Sequence, residues 1–282
     1  MAQEQPDVAV TGATGALGGA VARLLAEAGI RQRLLARHTA RLPEFPGTPS
    51  YAITYSDREV SARALEGVRT LFMVSAAESR YRRQDQRTFV DAAVDAGVQH
   101  IVYTSFMGAA PDAVFTLARD HWDTEEYIKS TSVGYTFLRD CLYQDVLPSF
   151  VGRDGLLRGP AGNGRLAAVA RADVARAAAR ILVNPQAHAN AVYTLTGPQA
   201  LTFEEIAAVL TRVTGSEVRF RNETVEEAME SRRGSDVEKW QIEAWVSTYA
   251  AVAAGEMAEV SSDIERLTGT APLALEEYLL QG

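Results

Sequence analysis

Three glycines near the start of the chain have a spacing that suits the binding of phosphate groups. Gly12, Gly15 and Gly18 follow the apolar segment 7–11 and open the alanine-rich segment 16–28. Here Gly12 permits a sharp exit from a strand, Gly15 leaves room for a pyrophosphate close to the backbone, and Gly18 lets a helix lie near a sheet. The pattern predicts a dinucleotide site; the alternative is a glycine-rich turn that holds no ligand.

The residue that ends the second predicted strand bears on which dinucleotide binds. Segment 31–36 ends at Arg37. An NAD site usually has Asp or Glu at this point, whereas an NADP site has an arginine for the 2′-phosphate. Arg37 therefore predicts NADP(H). The alternative is chance, because Lys129 and Lys239 are the only lysines among 28 basic residues, which leaves 26 arginines.

The sequence lacks a pair of residues that often transfers a proton beside a bound dinucleotide. No tyrosine has a lysine four residues after it, so the Tyr-x-x-x-Lys pair that protonates a ketone during hydride transfer is absent. Segment 119–130 instead carries His121 and Glu125, whose spacing places them on one helical face. We predict that His121 supplies a proton; the alternative is a surface or ribose-contacting residue. Glu125 is predicted to be a surface charge or the partner of His121.

Strands and helices alternate along most of the chain and would position these residues. Predicted strands lie at 7–11, 31–36, around 50–55, within the apolar run 68–77, and at 100–105 and 134–139. Predicted helices lie at 16–28, 58–66, 84–96 and about 119–130. Strands that alternate with helices of this length indicate right-handed crossovers. The fold class is therefore α/β, with a doubly wound parallel (Rossmann) sheet.

The pattern changes after residue 150. The glycine-rich segment 151–165 is predicted to leave the sheet, whereas 173–183 is predicted to be a helix capped by Asp173 and 191–197 a strand. Three capping boxes follow, which indicate short helices, at Thr202/Glu205, Thr224/Glu227 and Ser262/Glu265.

These observations divide the chain into two predicted domains. Residues 1–150 form the NADP-binding Rossmann domain, to which 166–196 return. Residues 151–165 and 197–282 form a smaller, mainly helical lobe that serves as a substrate lobe or lid.

Composition narrows the class of protein. The 282 residues are 47% hydrophobic, which is enough for a large core, and the net charge of −8 argues against a nucleic-acid partner. With one cysteine, no disulfide can form within the chain and no cysteine-based metal site is predicted. No apolar run is long enough to span a membrane, and residues 1–6 do not read as a signal peptide. We therefore expect a cytoplasmic protein.

Several segments together resemble the NmrA-like family of atypical short-chain dehydrogenases, and within it the bacterial NADPH:quinone oxidoreductases of type 2, which lack the Tyr-Lys pair. The segments are TGATGALG, the strand-end Arg37, LFMVSAAE, VYTSF, DHWDTEEYI, YTFLRDCLY and GPAGNGRLAAVARADVARAAARIL. The resemblance covers residues 7–280 and is most specific at the His-x-x-x-Glu segment and at 159–182.

The resemblance implies a set of contacts with the coenzyme. Arg37 would contact the 2′-phosphate, the loop 140–145 would lie on the nicotinamide side, and Arg171 matches an arginine of the same family segment. Pyrophosphate contacts would come from Gly12, Ala13, Thr14, Gly15, Ala16, Leu17 and Gly18, and adenosine and ribose contacts from Ser75, Ala76 and Ala77.

The loop 140–145 departs from the family pattern. It begins with Asp140, where the family commonly has Asn-Gly. A carboxyl group near a nicotinamide would tune the site differently. The Tyr143 ring is predicted to contact the substrate as one side of its binding site. The alternative is that the ring only packs in the protein interior.

A protein without the Tyr-Lys pair is suited to an acceptor that can be reduced without simultaneous protonation by the enzyme. A quinone spreads the negative charge that it gains with a hydride, so stacking it on a nicotinamide accounts for most of the chemistry. We predict hydride transfer from NADPH to a quinone-like acceptor, with His121 or water supplying the proton late. The alternatives are a redox sensor that binds NADP(H) without chemistry and regulates a transcription factor, and a reductase of another conjugated or azo acceptor. The resemblance also allows a homodimer.

Overall fold

The computed structural model describes residues 7–42, 45–233 and 237–281. Its strands are β1 Val8–Thr11, β2 Gln32–Ala36, β3 Ser50–Ala52, β4 Thr70–Met73, β5 His100–Phe106, β6 Gly134–Asp140, β7 Leu156–Gly159, β8 Arg165–Leu166, β9 Ala191–Leu195, β10 Leu201–Thr202 and β11 Arg219–Asn222. Its helices are α1 Ala16–Glu27, α2 Arg58–Leu65, α3 Arg82–Asp95, α4 Thr116–Lys129, α5 Arg171–Val183, α6 Phe203–Thr214, α7 Val225–Ser231, α8 Lys239–Ala253, α9 Asp263–Thr268 and α10 Leu275–Gln281. Residues 1–6, on which the signal-peptide argument depends, lie outside the described ranges.

Seven strands form one sheet in the order β3-β2-β1-β4-β5-β6-β9. β1 pairs in parallel with both β2 and β4, so that Val8 lies opposite Gln32 on one side and Thr70 on the other. The strand order reverses between β1 and β4, and in such sheets ligands bind beyond the carboxyl ends of the strands at this reversal. The predicted doubly wound α/β sheet is confirmed.

Apolar side chains of the strands account for the stability of the sheet. All four residues of β1 and of β4 are buried, as expected for parallel strands that are covered on both faces. The core that they join includes the fully buried side chains of Leu65, Phe89 and Phe137. The loops that follow β1, β2 and β4 are thus attached to rigid strands.

The structure corrects two predicted helix caps. Asp173 is not an N-cap, because α5 already begins at Arg171 and the buried Asp173 carboxylate instead accepts a hydrogen bond from the Leu273 backbone N–H at 2.7 Å. The capping boxes at Thr202 and Thr224 are confirmed. Ser262 precedes α9 but makes no side-chain capping bond, since its ψ of 6° is not the extended value that capping requires.

Contacts between Cα atoms divide the chain into two compact units. The first unit comprises Met1–Ser105, Asp120–Leu138 and Val174–Tyr193, and the second Phe106–Arg119, Arg139–Asp173 and Thr194–Gly282. The predicted domains, 1–150 with 166–196 and 151–165 with 197–282, follow the change of pattern along the sequence, and they stay a prediction. Helices α6 to α10 form most of the second unit's C-terminal part, as predicted.

No helix within the described ranges combines the length and the apolar character that a membrane crossing needs.

Candidate functional site

The glycine loop between β1 and α1 has a backbone that only glycine allows at two positions. Gly12 has a φ of +59°, in the region that other residues avoid. A Cβ atom at Gly18 would lie 2.4 Å from the Gly12 carbonyl oxygen and 2.6 Å from that of Thr11. The first residue therefore turns the chain out of the strand, and the second lets α1 lie against the end of β1, as their spacing predicts.

Gly15 occupies the N-cap position of α1 and leaves the start of the helix open. No side chain caps the helix, and no acidic residue lies in its first turn. A Cβ atom at Gly15 would meet only the Gly12 carbonyl oxygen, at 3.2 Å. The unpaired N–H groups of a helix N-terminus attract anions. The geometry thus fits a diphosphate.

Residues of the predicted pyrophosphate loop do not all face outward. Thr14, Gly15 and Ala16 are exposed, whereas Ala13, Leu17 and Gly18 are buried. A ligand at this loop therefore meets the first three, and the others support the backbone from behind.

Arg37 lies beside the glycine loop. It follows β2, two residues after Leu35, whose carbonyl oxygen accepts a 3.5 Å hydrogen bond from the Ala13 backbone N–H. The Arg37 side chain is exposed and makes no ion pair with any residue that the structure describes. A cation in this position suits an additional phosphate next to the loop.

The loop after β4 is held in place by side chains from neighbouring elements. The Ser75 N–H donates to Thr104 Oγ1 at 2.8 Å, and the Ala76 N–H donates to Gln86 Oε1 at 3.0 Å. Arg82 Nε donates to the Ala76 carbonyl oxygen at 2.9 Å. Both backbone groups of Ala76 are thus fixed, which gives Ser75, Ala76 and Ala77 a defined path in the first unit.

His121 is buried, so its interpretation as a surface residue is wrong. Arg82 Nη2 lies 2.9 Å from His121 Nε2, and Tyr103 Oη lies 3.0 Å from Nδ1. Because a guanidinium only donates hydrogen bonds, Nε2 must accept, which places the ring proton on Nδ1.

The surroundings of His121 also favour its neutral form. Burial, and then the positive charge of Arg82, hold the pKa of His121 well below its usual range. The ring is therefore uncharged at neutral pH. Its predicted role in supplying a proton stays a prediction.

Glu125 is fully buried, and its interpretation as a surface charge is wrong. Its Oε1 atom accepts a hydrogen bond from Ser105 Oγ at 2.6 Å. Ser105 lies near the end of β5, so this bond attaches α4 to that strand within the first unit.

Asp140, Tyr143 and Arg171 form a cluster in the second unit. Asp140 is the last residue of β6 and is 2% exposed. Tyr143 Oη donates to Asp140 Oδ2 at 2.7 Å, whereas the buried Oδ1 atom has no hydrogen-bond partner among the described residues. Burial raises the pKa of Asp140 to about 8, so this carboxyl group is mostly protonated at pH 7.

Arg171 approaches this cluster from the start of α5. Its guanidinium carbon lies 4.7 Å from the centre of the Tyr143 ring, and Nη1 lies 3.3 Å from Asp145 Oδ1. Burial, with the neighbouring Asp140, raises the pKa of Tyr143 well above its usual range, so the phenol keeps its proton. Burial also raises the pKa of the adjacent Cys141 thiol to about 12.

The structure thus places the predicted site residues in two groups. The first unit holds the glycine loop, Arg37 and Ser75–Ala77, and His121 reaches that last loop through Arg82. The second unit holds Asp140, Tyr143 and Arg171. Sequence reasoning missed Arg82 and Gln86, because an arginine in the polar run 80–87 gives no local sign that it is buried.

Two curated proteins and one solved structure that are similar to this chain are reductases. Quinone oxidoreductase 2 of Escherichia coli (strain K12) is 34% identical over 222 residues, which are 76% of this chain and 77% of that protein. An NAD(P)H azoreductase of Xenophilus azovorans is 28% identical over 276 residues, 96% of each chain. A crystal structure of the NADPH-dependent quinone oxidoreductase of Escherichia coli complexed with NADPH matches with a TM-score of 0.87, at 28% identity, over 97% of this chain and 99% of that one. Residues 4–279 match the NmrA-like family, to which this chain therefore belongs.

Proposed function

We propose that this protein is an NADPH-dependent oxidoreductase that transfers a hydride to a quinone-like acceptor. The observation that carries the proposal is the uncapped start of α1 at exposed Gly15, together with the exposed Arg37 that follows β2, the strand paired with β1. The similarity to a quinone oxidoreductase along three quarters of the chain supports the choice of acceptor.

The proposed coenzyme contacts follow from the exposed parts of the first unit. The Gly15 N–H already donates to the Gly12 carbonyl oxygen at 2.8 Å, so Gly15 would contribute the open space beside the loop. The backbone N–H groups of the exposed Thr14 and Ala16 would bind the pyrophosphate, and Arg37 the 2′-phosphate. Ser75–Ala77 would contact the adenosine ribose. When bound, NADPH supplies the hydride. Contacts of the nicotinamide part with Asp140, Tyr143 and Arg171 are proposed on the resemblance to the family.

The chain's own residues contribute positioning and charge. Arg82 and Gln86 fix the backbone N–H and C=O groups of Ala76. Because the loop is already ordered, it loses little conformational entropy when a ligand binds. The Tyr143 ring, held between Asp140 and Arg171, offers a rigid aromatic surface to a planar acceptor.

A different conjugated acceptor is the second candidate. The azoreductase similarity, which extends along 96% of the chain, favours an azo compound in this role. A redox sensor without chemistry would use the same coenzyme contacts but would not oxidise NADPH.

Steady-state oxidation of NADPH by the purified protein tests the proposal. We expect turnover with simple benzoquinones and naphthoquinones above the rate in buffer, and none for Gly15→Val, whose side chain would fill the space over the loop. The melting temperature of uncomplexed Gly15→Val should stay near that of the wild type. Turnover of azo dyes but not quinones would establish the second candidate; NADPH binding without turnover would support a sensor.

Cellular location and assembly are proposals that rest on composition and resemblance. The net charge of −8 and the single cysteine fit a cytoplasmic protein with a small-molecule substrate and no nucleic-acid partner. A homodimer is proposed from the resemblance, and light scattering on the purified protein would measure it.

A further inference from the structure

The buried Asp140 carboxyl group uses one of its two oxygen atoms in a hydrogen bond. Tyr143 Oη donates to Oδ2, and Oδ1 has no partner among the described residues. Buried polar atoms in proteins nearly always have a partner, and one without costs stability. Asp140 lies at the carboxyl end of β6, and ligands of α/β sheets bind beyond this end of the strands.

Among the described residues, no cation pairs with the Asp140 carboxyl group. From the β5 side the Met107 backbone N–H donates to the Asp140 carbonyl oxygen, and on the β9 side the Leu195 carbonyl oxygen accepts from the Cys141 N–H. These neighbours are backbone groups without charge. The nearby cation, Arg171, lies over the Tyr143 ring and pairs with Asp145 instead. The carboxyl group is therefore stable as a neutral acid.

We propose that Asp140 is a catalytic acid that donates the proton on Oδ1 to the oxygen of the reduced acceptor. This inference rests on the proposed function. Because Tyr143 Oη donates to Oδ2, the acid proton lies on Oδ1, the atom that has no other acceptor. Asp140 thus presents an O–H donor where a carbonyl oxygen of the acceptor would complete the site.

One hydride and one proton together complete the reduction of the acceptor. The acceptor takes up a hydride, and its two electrons leave a negative charge on the acceptor oxygen. The Oδ1–H bond of Asp140 then breaks and an O–H bond forms on that oxygen. The resulting carboxylate keeps its hydrogen bond from Tyr143 Oη and regains a proton from water.

Neighbouring groups are poorer acids for this step. The Tyr143 phenol has a pKa raised well above its usual range, and Cys141 has a pKa of about 12. A general acid works best when its pKa is close to the working pH. Asp140, with a pKa of about 8, meets that condition.

The first test measures stability against pH without coenzyme or acceptor. An aspartate in an unfolded chain has a pKa of about 4, and Asp140 in the folded protein has one of about 8. Between these values the native protein keeps a proton that the unfolded chain has lost, so the free energy of unfolding falls as pH rises. We expect the melting temperature of the wild type to fall relative to that of Asp140→Asn between pH 4 and pH 8.

A matched control is Asp154→Asn. The exposed carboxyl group of Asp154 is paired with Arg158, which lowers its pKa to about 2, so its contribution lies below pH 4. The melting temperatures of wild type and Asp154→Asn should run parallel from pH 4 to pH 8. Parallel curves for wild type and Asp140→Asn would overturn the proposal, because Asp140 would then be an ordinary carboxylate.

The second test measures turnover. For Asp140→Asn we expect kcat to fall by about 100-fold, the usual contribution of a general acid, with the KM for NADPH little changed. The wild-type kcat should decline above pH 8, and this decline should be absent in the variant. An unchanged kcat, or a decline that persists in Asp140→Asn, would overturn the proposal. If the wild type oxidises no NADPH, the proposed function fails and the stability result still reports whether Asp140 is neutral.

Discussion

Two buried polar clusters of this protein differ in how completely their atoms are paired. In the first unit, Arg82 contacts the Ala76 carbonyl, His121 and Asp120, and His121 has a partner at each ring nitrogen. In the second unit, Asp140 shares one oxygen with Tyr143 and leaves the other without a described partner. A fully paired network rigidifies its surroundings, whereas a partly paired one leaves a place for a ligand.

This difference in hydrogen-bond pairing distinguishes residues that support the structure from residues proposed to react. The Arg82 network joins α3, α4 and β5 and fixes the loop after β4, which makes it part of the scaffold. In the Asp140 cluster, Tyr143 lies three residues after Asp140 and Arg171 joins them from α5, while burial keeps the Asp140 carboxyl group neutral.

Removal of Arg82 should have the largest effect. Arg82→Leu leaves the Ala76 carbonyl and His121 without their donor, and we expect a loss of about 3 kcal/mol or more in the free energy of unfolding. Arg83→Leu is the matched control, because Arg83 pairs with the same Asp120 but its side chain is 51% exposed, against 5% for Arg82. The control should cost at most about 1 kcal/mol. Equal losses in urea unfolding would show that the buried network has no special role.

Arg37, unlike the buried and paired Arg82, is an exposed cation that is proposed to bind a phosphate of the coenzyme. Arg37→Ala should weaken NADPH binding by roughly 10- to 100-fold, the loss of a charge-assisted hydrogen bond of about 1.5–3 kcal/mol, with NADH binding and stability almost unchanged. Arg23→Ala, a change at an exposed position of α1, controls for the loss of one positive charge. Calorimetric titration measures all three proteins. Equal losses for NADPH and NADH would contradict the assignment to the 2′-phosphate.

His121 lies in the paired network, so its replacement should affect stability more than turnover. We expect His121→Gln to lose about 1–2 kcal/mol of unfolding free energy, since the glutamine only partly replaces the acceptor that Arg82 requires. Turnover per folded molecule should be retained. A large fall in kcat with unchanged NADPH affinity would instead establish the predicted role of His121 as a proton donor.

Two helix starts provide the smallest contrast between paired and unpaired groups. Thr202 caps α6 with a complete capping box, and Ser262 precedes α9 without a capping bond. Thr202→Ala should therefore cost about 1 kcal/mol, whereas Ser262→Ala should stay within about 0.5 kcal/mol. Equal costs in urea unfolding would mean that Ser262 caps its helix in solution.

Local patterns in the sequence predict the fold and the glycine loop well. The segment that opens α1 is predicted at 16–28 and observed as Ala16–Glu27, because apolar periodicity and glycine spacing act over a few residues. Asp173 was misjudged for a related reason: its capping preference is local, yet its carboxylate bonds to Leu273, 100 residues away. The helix therefore begins two residues earlier than its sequence indicates.

The hydrogen bonds within the two clusters join residues that are mostly far apart in the sequence, so local sequence patterns do not predict them. The spacing of His121 and Glu125 places both on one face of α4 but does not show that this face is buried, and their partners Arg82 and Ser105 lie 39 and 20 residues away. Asp140 was recognised as a departure from the family pattern. Its neutral state follows from burial, and burial depends on how β5 and β9 flank β6.

Burial of the chain's single cysteine has a consequence for a protein that handles quinones. Quinones are electrophiles that become covalently attached to ionised thiols. Cys141 is 1% exposed, and its pKa of about 12 keeps it in the unreactive S–H form. A quinone substrate would therefore not arylate Cys141. Loss of activity in an excess of quinone would then have to come from a reaction at another residue.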